Sequence, residues 1–178
     1  MRKSMFTVFA LIAAATLVVS AQKVTEMHPG KGGSPHVRAE WMIDGAAIAI
    51  EYGRPSLKGR EESQLMPAGR VWRTGADEQT TLITNRTLRF GSLEVPAGTY
   101  GIHTLPGETW ELIISKREKG WGIPYPEGQD LGRVPMTSGK TAAAVEQLTI
   151  SIDDTATGGT LKIEWGTTSV SVPFTVGS

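Results

Sequence analysis

Leu148-Thr149-Ile150-Ser151-Ile152 and Leu161-Lys162-Ile163-Glu164-Trp165 decide the fold. In each run apolar side chains alternate with polar ones, so an extended chain has one apolar face and one wet face. Between the runs stand Asp153-Asp154-Thr155 and Gly158-Gly159, a hairpin tip of solvated acids and glycines. Two alternating runs joined by a short turn read as an antiparallel hairpin. The same period of two recurs elsewhere. Ile48, Ile50 and Tyr52 share a face, as do Trp110, Leu112 and Ile114, and again Val170, Val172 and Phe174.

Turn chemistry separates these runs. Asp44-Gly45 suits a type I′ hairpin, where φ is positive at both central residues. Gly91-Ser92 suits type II′, and Pro96-Ala97-Gly98 and Pro106-Gly107 are further turns. The pattern predicts strands at 37–43, 46–53, 79–85, 87–90, 93–95, 99–104, 109–115, 146–153 and 160–174, the last divisible at Gly166. These are about nine strands, the signature of an all-β, antiparallel β-sandwich, jelly-roll-like or a partly open barrel. Glu61 to Met66 offers one helical turn, and 116–140 reads as a long Gly/Pro-rich loop.

The 178 residues suit one such domain. Arg2 and Lys3 precede an uncharged apolar run from Met5 to Val19, and small residues follow at Val19-Ser20-Ala21. That is the pattern of a cleaved secretory signal peptide over residues 1–21, so the protein is expected to be exported, periplasmic or extracellular, with no membrane span after cleavage. Residues 22–35, with Pro29, Gly30, Gly32, Gly33 and Pro35, read as a flexible leader. Residues 36–178 are then a single β-sandwich domain. With 18 basic and 18 acidic side chains, the chain lacks the basic excess of a nucleic-acid binder. With no Cys it has no disulfide, thiolate metal site or cysteine nucleophile.

The least ordinary composition lies between Tyr52 and Thr81, where Arg54, Lys58, Arg60, Arg70 and Arg73 crowd a loop region with Trp72. Loops on a sheet scaffold carry binding residues, and the planar guanidinium grips carboxylate or phosphate. A small polar or anionic ligand, or a glycan, is the partner this suggests. The plainer alternative is that these cations pair with Glu61, Glu62, Asp77 and Glu78 and fasten the loop.

Here the chain resembles the bacterial exported proteins catalogued as domain of unknown function 2911. The resemblance rests on Tyr52-Gly53-Arg54-Pro55-Ser56-Leu57-Lys58-Gly59-Arg60, on Val71-Trp72-Arg73-Thr74-Gly75-Ala76-Asp77-Glu78, and on Pro96-Ala97-Gly98-Thr99-Tyr100. It spans roughly residues 36–174. The family pattern has Asn where this chain has Asp77. The resemblance implies no activity, substrate or catalytic residue.

His103 lies on a predicted strand after a tight turn, on the face of Gly101 and Leu105. As a general base oriented by Glu78 or Asp77 it would make a hydrolase or isomerase. The alternative is a strand histidine bonded to nearby backbone. His28 and His36 lie eight positions apart in and beside the leader, unlike zinc ligands, so no metal site and no cofactor are expected. No Gly-x-Ser-x-Gly elbow and no phosphate loop is present. Trp110 and Trp165 fall to the core and Trp41 packs beside the first hairpin, while Trp72 and Trp121 lie in loops. If those loops meet, Lys119 to Tyr125 forms a cleft wall opposite Arg73. The expected function is binding of a small polar or anionic ligand or a glycan through Arg54, Lys58, Arg60, Trp72 and Arg73, with Glu78 and His103 orienting it. An enzyme built on His103, or a structural cell-envelope interaction protein, are the alternatives.

Overall fold

A computed structural model describes residues 22–177. The signal peptide read at residues 1–21 lies outside them. Ten strands and one helical turn follow in order: β1 Lys23–His28, β2 His36–Ile43, β3 Ala46–Gly53, α1 Glu62–Leu65, β4 Thr81–Thr84, β5 Leu88–Phe90, β6 Leu93–Val95, β7 Gly98–Leu105, β8 Trp110–Ser115, β9 Asp130–Thr155 and β10 Gly158–Val176. They form one sheet in the order β1-β2-β3-β4-β7-β8-β9-β10-β5-β6, antiparallel throughout. No helix among the described residues is long and apolar enough to cross a membrane.

The alternation that predicts the strands also builds the core. Leu148, Ile150, Ile152, Leu161, Ile163 and Trp165 are all buried, and Ile150 lies directly across from Ile163 and Ile152 across from Leu161. Side chains facing one another this way are the unit of sheet stability. The long strand β9 serves two partners, pairing with β8 through Met136 and with β10 from Thr137 onward. Beyond β3 the chain returns to β9: Ser56 bridges Gln147, and the Leu148 N–H donates to the Pro55 carbonyl at 3.0 Å. The Tyr52 hydroxyl accepts the Ile150 N–H at 3.0 Å. The sheet therefore curves back on itself, and strands from both of its ends contribute to one apolar cluster.

Asp44 and Gly45 take φ of 46° and 77°, as the type I′ hairpin requires. The structure departs from the sequence reading in four places. The stretch expected as a flexible leader contains β1, paired with β2 from Lys23↔Glu40 to His28↔His36. All six of its residues are exposed, so backbone pairing forms an edge strand without any apolar alternation. The expected loop 116–140 ends at residue 129, because β9 begins at Asp130. Residues 137–144 are mostly exposed and hide their strand in the same way. The last hairpin turns at Ala156-Thr157, and Gly158 already pairs with Thr155. A Cβ at Gly158 would meet the Phe174 carbonyl oxygen at 2.1 Å, so glycine is required there by close approach. Finally, Gly166 does not break β10; it has φ 62° where the register with β9 shifts.

Candidate functional site

The segment from Trp72 to Thr80 is the hub of the site. Trp72 exchanges backbone hydrogen bonds with Thr104 on β7, at 2.8 and 3.0 Å. Thr74 has φ 56° and Asp77 has φ 60°, both in the left-handed region. Asp and Asn tolerate that region, which explains an Asx residue at position 77. Thr74 is β-branched and strained there. Two other buried threonines hold it: the Thr74 hydroxyl meets that of Thr104 at 3.1 Å, and the Thr80 hydroxyl donates to the Thr74 carbonyl at 2.9 Å. The loop 116–129 clasps this hub. The Gly122 N–H donates to the Asp77 carbonyl and the Gln79 N–H to the Gly120 carbonyl, each at 2.9 Å. The two loops do meet, as a cleft opposite Arg73 requires.

Beside the hub lies a cleft of about 410 Å³, lined by Lys31, Lys58, Arg60, Arg73, Trp72 and Asp77, among others. Trp72 and Trp165 also line it, stacked with ring centroids 5.8 Å apart and planes 9° from parallel. Both rings are buried, so Trp72 belongs to the core and offers the cleft only part of its surface. The cations are held by neutral groups. Arg60 donates to the carbonyls of Leu57 at 2.9 Å and Ser56 at 2.7 Å. Arg73 donates to the Gly75 carbonyl at 3.1 Å and Lys58 to that of Gly32 at 3.4 Å. Lys31 Nζ stands 5.1 Å from the Trp121 ring centroid.

Three of the acids expected to neutralise these cations bond other groups. Glu62 accepts from the Thr167 N–H at 2.6 Å, Asp77 accepts the Lys31 backbone N–H at 2.8 Å, and Glu78 faces His36. Among the described residues, Lys31, Lys58, Arg60 and Arg73 form no ion pair. Arg54 is not part of this cleft. Its guanidinium donates to the Leu148 carbonyl at 2.9 Å and the Thr149 hydroxyl at 3.0 Å, and so seals the curved sheet.

His103 makes no hydrogen bond or ion pair with Glu78 or Asp77. It is 1% exposed, lies edge-on to Tyr125 with centroids 5.1 Å apart, and neither ring nitrogen has a hydrogen-bond partner. Burial, aided by nearby Arg117 and opposed by Asp130, lowers its pKa to about 4. Tyr125 itself bonds Asp130, and burial with that acceptor pushes its pKa up to about 12. The ring contacts of His103 are therefore with the loop 116–129, and the structure does not join it to the proposed carboxylates.

A cluster that sequence spacing did not reveal lies past Asp77. His28 and His36 stack with centroids 4.5 Å apart and planes 13° from parallel. His36 Nε2 is 2.9 Å from Glu78 Oε2 and 3.9 Å from Asp77 Oδ2, and His28 Nε2 is 4.0 Å from Glu78 Oε1. Eight positions of chain separate the two histidines, but the antiparallel register of β1 and β2 sets them opposite one another. Their spacing along the chain argued against a metal site, and the fold brings the two side chains together beside Glu78. Burial holds the His36 imidazole below its ordinary pKa despite the pull of Glu78. A smaller cavity of about 230 Å³ opens here, lined by Met27, Gln79 and Lys119 as well as the cluster.

The family model described as "Protein of unknown function (DUF2911)" matches residues 34–174. No curated protein and no solved structure matches the chain.

Proposed function

The chain belongs to that family, and we propose that this member is an exported protein that binds a small anionic ligand in the cleft beside Trp72. One observation carries the reading: four cations line a cleft of about 410 Å³ and none is paired with a carboxylate. Four like charges with a single carboxylate, Asp77, on the same wall repel one another, and an anion relieves that cost. The arginines favour carboxylate or phosphate, whose oxygens match the guanidinium fork. The indole surface accepts an apolar or ring-shaped portion of the ligand. Asp77 on the same wall selects for a hydroxyl or amino group beside the anionic one. The apolar run after Arg2 and Lys3 supports export.

Thermal unfolding against carboxylated metabolites, phosphorylated metabolites and neutral sugars tests the reading. A ligand at a hundred times its Kd adds roughly 2.7 kcal/mol, a rise on the order of 5–10 °C for a domain of this size. Arg73→Ala and Lys58→Ala should remove that rise while costing the unliganded protein less than about 1 kcal/mol each, as is usual for surface side chains. A panel in which only neutral sugars act refutes the anionic reading. So does an anion whose effect survives both substitutions.

A further inference from the structure

We propose that His28, His36 and Glu78 form a binding site for a divalent transition-metal ion of the zinc class. One donor atom from each residue lies within 4.8 Å of the others. Zinc bound tetrahedrally at about 2.0–2.2 Å sets its ligand atoms roughly 3.3–3.5 Å apart. Glu78 meets the two imidazoles through different oxygens, Oε2 at 2.9 Å from His36 Nε2 and Oε1 at 4.0 Å from His28 Nε2, and these separations bracket that value.

The second observation is independent of proximity. His36 is 5% exposed with the Ala76 carbonyl beside its ring, and its Nε2 has no aligned hydrogen-bond partner even though Glu78 Oε2 is 2.9 Å away. The two atoms are close but not aligned as donor and acceptor. A buried nitrogen in that state bears a desolvation cost that a metal ion would remove through the nitrogen lone pair. The fold also makes room for the ring. A Cβ on Gly53 would come within 2.6 Å of His36 Nε2 and 2.4 Å of the Ala76 carbonyl oxygen.

Two imidazoles and one carboxylate suit zinc, copper or nickel and not magnesium or calcium, which prefer oxygen. Three protein ligands leave a fourth position for water or an added ligand. The near-parallel stacking means that a metal in the plane of the His36 ring lies off the plane of His28. His28 is half exposed, so its ring can turn, giving up the Gly30 N–H bond at 3.2 Å.

The test is titration of the tag-free protein with zinc chloride by calorimetry, and with cobalt chloride by visible absorption. The expected result is one ion per chain and no comparable binding of magnesium or calcium. His28→Ala and Glu78→Gln alter half-exposed side chains and should each raise the zinc Kd at least tenfold with the melting temperature preserved. Arg60→Ala, in the cleft, should leave zinc affinity unchanged, which separates this site from the anion reading. Absence of saturable binding overturns the proposal. So does wild-type affinity in both His28→Ala and Glu78→Gln, or equal binding of magnesium.

Discussion

Lowering the pH from 7 to 5 is expected to weaken the fold through His103. The imidazole is 1% exposed beneath Tyr125, with neither nitrogen bonded. Burial, with Arg117, brings its pKa from the ordinary 6.5 to about 4. Above pH 6.5 folded and unfolded chains both hold it neutral, and the native state keeps its full stability. As the pH falls below 6.5 the unfolded chain takes up a proton that the folded chain refuses. Stability is then lost progressively until about pH 4, where the folded chain is protonated as well. At about 1.4 kcal/mol per pH unit the whole window amounts to ~3 kcal/mol, of which ~2 kcal/mol has gone by pH 5. Urea unfolding followed by tryptophan fluorescence at pH 7, 6 and 5 measures it, comparing the wild type with His103→Leu. His36, also lowered by burial, contributes the same sign to both proteins and cancels in the difference. Glu62, held below its ordinary value, stays ionised in this range. The wild type should lose ~2 kcal/mol more than the variant. At pH 7 the variant should lie within about 1 kcal/mol of wild type, since it removes two unbonded buried nitrogens. Equal losses in the two proteins would refute the argument.

Gly53→Ala is expected to cost about 1–3 kcal/mol in denaturant midpoint, because the new methyl overlaps the Ala76 carbonyl and His36; the same change should disturb zinc binding. Glu62→Ala should cost about 1 kcal/mol, discounted for partial exposure, through loss of the bonds from Thr167 and Thr168. The hydrogen bonds to those threonines outweigh desolvation and lower the Glu62 pKa. Its contribution is therefore present above about pH 4.5 and should fade on further acidification, which urea unfolding at pH 6 and pH 3 would show.

The strand class was legible because a half-buried strand writes its burial into the chain at period two, as Leu148, Ile150 and Ile152 do. The Asp44-Gly45 turn was legible because positive φ restricts residue type. The crowd of cations around Trp72 was legible as composition, and Lys58, Arg60 and Arg73 do line one cleft. Strand β1 and residues 137–144 left no such record, since a segment wet on both faces is held by backbone bonds to which side-chain type is nearly indifferent. The same limit applies to the site. Arg54 belongs to the same loop run as Arg60, yet curvature of the sheet turns it to the carbonyl of Leu148. For His103 the sequence left a general base and a strand histidine both open, and the loop 116–129 buries its ring. His28 and His36 became neighbours only through the register of an edge pair, and Glu78 joined them only through the left-handed turn at Asp77. By itself the sequence determined which segments alternate and which residues are chemically capable. Tertiary structure decided which of them meet, because register, curvature and loop closure depend on contacts between distant residues that leave no periodic trace along the chain.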